Sequence, residues 1–196
     1  MSSLQLHRVS AARFARYRPG LGALLRDAVA QGASVGFLAN LDELQVERYL
    51  DEVLAAVGQG HLLLWVAVEN EQLLACVQLN LCQKANGRNR AEVQKLLVLH
   101  PQQRRGLGQR LMAAVEQAAR RHGRGLLFLD TQAGSTAETF YQALGYSRAG
   151  EVPDYACSPD GELHPTALYF KRLPGPGASD WAGDSRAPAR RYRRQR

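Results

Sequence analysis

Apolar residues recur along this chain in two rhythms, and each change of rhythm marks a new element. Leu4–Val9 alternates, which predicts a strand. Ser10 is placed to cap a helix, although Pro19-Gly20 is expected to break or kink it before Leu21–Ala30 resumes. Asp42–Val57 carries Val46, Leu50, Val53 and Val57 on one helical face and ends at Gly58–Gly60. Two apolar runs follow, His61–Val68 and Leu73–Cys82, separated by Glu69-Asn70-Glu71-Gln72 in a hairpin pattern. Lys84–Arg90, rich in Asn, Arg and Gly, is a second turn.

Ala91–Leu99 reads as a strand, and the loop His100–Arg105 follows it. From Gly106 the period becomes helical, with Leu107, Leu111, Val115 and Ala118 in one stripe that fades at His122-Gly123. Gly125–Leu129 is a short continuous apolar run, the pattern of a strand buried on both faces. Ser135-x-x-Glu138 predicts a capping box for a helix to Leu144, stopped by Gly145. Tyr146–Gly150 and Thr166–Lys171 are the last strands, joined by a long segment containing the turn Ser158-Pro159-Asp160-Gly161. The order β-α-α-β-β-β-α-β-α-β-β predicts an α/β sandwich around a mixed sheet.

Composition narrows the picture. With 196 residues, 45% hydrophobic and 22% charged, the chain is expected to form one globular domain over residues 1–173. No run approaches the roughly 18 apolar residues of a membrane span, and the first residues lack the apolar core of a secretory signal. The expectation is a cytoplasmic protein without membrane association. Cys76, Cys82 and Cys157 have no metal-ligand spacing, and no metal is expected. Residues 174–196 are rich in Pro, Gly and Arg, which predicts a disordered tail. Its six arginines against Asp180 and Asp184 supply +4 of the +7 net charge. Arginines flanking Tyr192 leave nucleic-acid contact open, the plainer reading being a solubilising extension.

The most informative stretch is AEVQKLLVLHPQQRRGLGQRLM, residues 91–112, in which a strand leads through Gln103-x-x-Gly106-x-Gly108 into an amphipathic helix. A helix start offers unpaired backbone N–H groups and partial positive charge. Glycines there let backbone approach a diphosphate, and Arg104, Arg105 and Arg110 add cationic donors. The plainer alternative is a flexible turn with solvated arginines. The spacing fits neither a P-loop nor the dinucleotide GxGxxG.

This segment resembles the acetyl-CoA motif of the GNAT superfamily of N-acetyltransferases, Q/R-x-x-G-x-G/A. Leu97-Val98-Leu99-His100-Pro101 is similar to the family's V-x-P approach, and Phe140-Tyr141-Gln142-Ala143-Leu144-Gly145-Tyr146 to its F-Y-x-x-x-G-F/Y signature. The blocks LDTQAGSTAETFYQALGY and PDYACSPDGELHPTALYFKRL look like tabtoxin-resistance-type acetyltransferases. The resemblance implies a mixed, mostly antiparallel central sheet flanked by helices, acetyl-CoA as co-substrate, and homodimers in some relatives. It places the cofactor against Leu97, Val98, Leu99, Gln103, Arg104, Arg105, Gly106, Leu107, Gly108, Gln109 and Arg110.

Acetyl transfer to an amine sets three tasks: a neutral amine, a stabilised oxyanion and a protonated leaving thiolate. Glu92, on the strand before the loop, is a candidate base; its alternative is a solvent-facing residue beside Arg90. Asp130, at the end of a buried strand, is a second acid or an amine anchor; its alternative is a turn or helix cap. By the resemblance, Tyr141 protonates the thiolate and a backbone N–H near Leu97 or Val98 forms the oxyanion hole. Tyr141 could equally be a core aromatic. The acidic pair points to an amine-bearing small molecule as acceptor. Acetylation of a protein, and a non-catalytic CoA-binding or nucleic-acid-binding module, stay open as alternatives.

Overall fold

The computed structural model describes residues 4–174. The predicted tail over 174–196 lies, beyond Pro174, outside the described residues. The elements run β1 (Gln5–Val9), α1 (Phe14–Ala30), α2 (Glu43–Gly58), β2 (Leu62–Glu69), β3 (Gln72–Leu81), β4 (Arg90–Val98), α3 (Leu107–Arg121), β5 (Leu126–Gln132), α4 (Thr136–Ala143), β6 (Ser147–Cys157) and β7 (Leu163–Arg172). That is the α/β order read from the sequence.

The strands form one seven-stranded sheet in the order β1-β2-β3-β4-β5-β7-β6, and its pairs are antiparallel except β4–β5. Helices cover both faces because the inner strands are apolar on both. In β2, Leu63, Trp65 and Ala67 join Leu111, Met112 and Val115 of α3 in one core. Leu62, Leu64 and Val66 meet Leu24, Leu25, Val46 and Leu50 of α1 and α2 in the other. The β2–β3 hairpin turns through Asn70 and Glu71, both at positive φ (51° and 64°), as the tightest two-residue connection requires.

Several local expectations are revised. Pro19 lies inside an unbroken α1, so tertiary packing overrides the breaker. Gly20 has a packing reason: a Cβ there would lie 2.8 Å from Leu73 Cβ, so α1 sits close on β3. Ser10 precedes only a short 3-10 turn and makes no side-chain cap bond. The capping box is realised at α2, where Gln45 N–H donates to Asp42 (2.7 Å) and Asp42 N–H to the Gln45 side chain (2.9 Å). At α4, Ser135 Oγ instead donates to Gln132 O, and Glu138 accepts from Gly134 N–H (2.7 Å). β5 buries only Leu127 and Leu129 and runs on to Gln132. The long segment after Gly150 is largely strand, forming the β6–β7 hairpin.

Substituting Gly20→Val would drive side-chain atoms into Leu73. A loss of about 1–3 kcal/mol of stability is expected. It should be read as a lower urea midpoint with an unchanged denaturant slope.

Candidate active site

The site begins where β4 and β5 part. Their parallel ladder consists of Arg90–Leu126, Ala91–Leu127 and Glu92–Phe128 and stops there. β4 then follows β3, while β5 follows β7 as far as Gln132–Thr166. The edge of β4 from Val93 to Val98 that faces β5 is therefore left without a strand. An opening is built into the middle of the sheet, lined on one side by a stretch of β4 that no strand pairs on that edge.

β4 also bulges in this stretch. Cys76 pairs with Leu97 and Gln78 with Gln94, so β4 holds one residue more than β3 between these pairs. Lys95 takes up the irregularity with φ 48°, a conformation costing a non-glycine residue about 1–3 kcal/mol. The bulge reverses the side-chain alternation. Ala91 and Val93 face α3, as do Leu127 and Leu129 of β5. Beyond the bulge, Leu97 faces α1 and α2.

This parity places the acidic residues. Glu92 and Asp130 alternate with those α3-facing residues, so both point to the α1/α2 face. Glu92 is half-buried at the last position where β4 pairs with β5. Asp130 is exposed and two residues past Glu92's partner Phe128. Asp130 is not a cap at a strand end, as one sequence reading had it; it is a strand residue paired with Leu168.

Tyr141 approaches from the other face. It is 9% exposed, packed among Phe140, Tyr146 and Tyr169 with ring centroids 5.3, 5.9 and 6.4 Å away. Burial, aided by the negative charge of Asp130, pushes its phenol up to about 12, so it stays protonated at neutral pH. Tyr141 is thus the core aromatic that one of its two sequence readings expected.

The loop after β4 leaves the sheet through Leu99, whose N–H donates to Leu74 O (2.9 Å). His100 N–H donates to Asp27 Oδ2 of α1 (2.8 Å), which ties the loop to the first helix. Gln103 Nε2 reaches back toward Val98 O (3.5 Å). Arg104 and Gly106 are left-handed (φ 63° and 76°), a twist that turns successive amides toward one side. The first intrahelical bond of α3 runs from Arg110 N–H to Gly106 O (3.1 Å). The amides of Leu107, Gly108 and Gln109 therefore precede the helical ladder.

The loop residues are not equivalent. Gly106 has open space around a hypothetical Cβ. A Cβ on Gly108 would stand 3.2 Å from Phe140 Cζ, so packing of α3 against Phe140 accounts for that glycine. Leu107 is buried in the core. Arg105 is paired with Glu69 at the end of β2 (3.0 and 3.1 Å) and with Gln102. Arg104, Gln109 and Arg110 are exposed around the helix start.

The structure adds residues that sequence reading passed over. Lys95 sends its Nζ over the Tyr49 ring of α2, 5.9 Å from the centroid. Tyr49 accepts a hydrogen bond from Gln78 Nε2 (2.8 Å), and Phe37 packs edge-on against it at 5.5 Å. The one sequence signal was Gln94-Lys95, two polar residues in succession inside an alternating strand, which marks a bulge. Among the described residues no group of three or more His, Cys, Asp or Glu side chains could hold a metal ion. No described helix is long and apolar enough to cross a membrane.

Solved structures share this fold. Ribosomal-protein-alanine N-acetyltransferase from Brucella melitensis superposes with a TM-score of 0.72 at 18% identity, over 86% of this chain and 99% of its own. yncA of Salmonella typhimurium, a candidate acetyltransferase solved with its cofactor acetyl-CoA, gives 0.71 at 17% identity, over 87% and 94%. An N-acetyltransferase from Staphylococcus aureus Mu50 gives 0.72 at 15% identity, over 88% and 100%. At these identities the likeness concerns the fold. Sequence carries the family: residues 24–146, more than half of the chain, match the acetyltransferase (GNAT) family from within α1 through the glycine loop to Tyr146. The chain belongs to the GNAT acetyltransferase family and is an acyltransferase.

Proposed function

We propose that this protein transfers the acetyl group of acetyl-CoA to a primary amine of a small molecule, within the cleft between β4 and β5. The observation that carries this reading is the interrupted ladder after Glu92. It leaves an open strand edge between two carboxylates on one face and a buried phenol on the other.

The pantetheine arm of acetyl-CoA carries amides, and an extended amide chain is the natural complement of the open edge of β4 over Val93–Val98. The diphosphate would lie on the amides of Leu107, Gly108 and Gln109, beside Gln103, Arg104 and Arg110, with Arg105 shared with Glu69. The thioester carbonyl would then sit near the bulge, where a backbone N–H around Leu97 or Val98 can receive the oxyanion.

The chemistry divides by face. The acceptor amine enters from the α1/α2 side and loses a proton to Glu92 or Asp130, directly or through water. The other carboxylate holds it as an ammonium beforehand. The neutral nitrogen attacks the thioester carbonyl, and the tetrahedral intermediate collapses with cleavage of the carbon–sulfur bond. The departing thiolate meets the Tyr141 hydroxyl on the α3/α4 side. A phenol near 12 yields its proton only to a base stronger than an ordinary thiolate of about 8.5. Burial of the leaving sulfur raises its basicity and narrows that gap.

The deciding experiment is acetyl-CoA calorimetry on the full chain, followed by thiol release against a panel of amines. Binding with release on a primary amine sustains the reading, and absence of binding overturns it. Gly106→Val places a β-branched residue at φ 76°. It should weaken acetyl-CoA by roughly tenfold or more, about 1.4 kcal/mol, in the same titration.

Tyr141→Phe should lower kcat by about 10²–10⁴-fold with acetyl-CoA affinity nearly unchanged. Because the phenol is pushed up to about 12, wild-type kcat should show no alkaline fall from this group up to about pH 10. Glu92→Gln and Asp130→Asn separate the two acids. The base is the one whose loss lowers kcat, and the anchor is the one whose loss raises KM with kcat held.

A further inference from the structure

The acceptor side of the cleft holds a cation that the reaction does not require. Among the described residues, Lys171, the other half-buried lysine, is satisfied by Glu116 (2.7 Å) and by Leu144 O (2.7 Å). Half-buried Arg18 is held by Glu47 and Asp51 (2.7 and 2.6 Å). Lys95 has neither kind of partner. No described carboxylate comes within 4.0 Å of its Nζ and no hydrogen bond engages it. A half-buried charge without a partner is unfavourable unless something else completes it.

The surroundings show where the missing partner would sit. The bulge sends the side chain to the α1/α2 face, with Nζ over the ring of Tyr49 and 3.9 Å from a hypothetical Cβ on Gly36 in the α1–α2 loop. Phe37 and Tyr49 form an aromatic wall whose hydroxyl end is fixed by Gln78. Burial draws the Lys95 ammonium below its ordinary value, and the charges of Asp130 and Glu92 oppose that shift. Those two carboxylates are close enough to be felt but do not form ion pairs with it. The chamber thus presents a cation at one place and two acids at another.

We propose that Lys95 is a specificity-determining residue that receives a carboxylate of the acceptor, so that the substrate is a small amino-carboxylate carrying its amine toward Glu92 and Asp130. This rests on the acetyl-transfer reading of the cleft. A zwitterion matches the chamber's charges in both places. A diamine or polyamine would bring a second cation against Lys95, and that repulsion works against it.

The test uses the full chain with acetyl-CoA and matched acceptors: phenylalanine against phenethylamine, and leucine against isoamylamine. Wild type is expected to favour the carboxylate-bearing member by roughly tenfold or more in kcat/KM. Lys95→Met should raise KM for that member by a similar factor, leave kcat nearly unchanged, and not affect the amine-only member. Lys95→Arg should recover part of the loss. Unchanged acetyl-CoA affinity by calorimetry reports that each variant is folded, and Lys95→Gln replaces any variant that fails this check.

Equal use of both members by wild type overturns the inference while acetyl transfer stands. So does a Lys95→Met variant that lowers kcat equally for both, since Lys95 would then act only on the two acids. Acetyl-CoA binding without thiol release from any member overturns it as well. Absence of acetyl-CoA binding overturns the acetyl-transfer reading itself.

Discussion

A strand inside a sheet has two hydrogen-bonding edges, and β4 loses one of them after Glu92. An unsatisfied buried backbone group costs about 1–3 kcal/mol, so an internal strand with a bare edge persists only where water or a ligand completes it. The rest of the molecule is organised around that constraint. β3 and β7 hold the two diverging strands from outside. Helices seal both faces away from the opening. The bulge at Lys95 and the loop from Leu99 to Gly106 adjust how the free edge is presented.

Divergence also makes the site two-sided. Residues on a strand alternate between faces, so a cleft between strands is reached from above by one set of side chains and from below by the other. Glu92 and Asp130 face α1 and α2, while Tyr141 comes from α4 among the residues packed with α3. A reaction that takes a proton from an incoming amine and returns one to a departing thiolate fits such a division. Its acid and base need not compete for one space. Burial raises the Tyr141 phenol, and the negative charge of Asp130 on the other side adds to that shift.

Two of the five described non-glycine residues at positive φ lie at the cleft. Lys95 and Arg104 are non-glycine residues in the left-handed region, one at the bulge and one at the approach to α3. Away from the site the same conformation occurs at the hairpin residues Asn70 and Glu71 and at Asp154, where turns and register shifts call for it. The paired glycines of the loop, alike in sequence, separate here. Gly106 serves backbone conformation, and Gly108 serves the fit of α3 against Phe140.

Much of this was legible from residues alone. The element order followed from periodicity because each helix and strand buries a face, and burial imposes a 3.6 or 2.0 period on the apolar residues. The glycine loop was legible because backbone conformation and helix-end chemistry are local. Pro19 and the β6 segment misled for the converse reason: packing of α1 on β3 and pairing with β7 outweigh local signals. The contents of the cleft were not legible either. Lys95, Tyr49, Gln78 and Phe37 lie far apart in the chain, and Lys95 reaches the other three because one extra residue in β4 reverses which face its side chains reach. Sequence by itself determined the fold class, the family and the glycine loop, all written in local pattern. The tertiary structure alone decided which charges share the α1/α2 side of the cleft, because register and strand divergence are properties of paired strands.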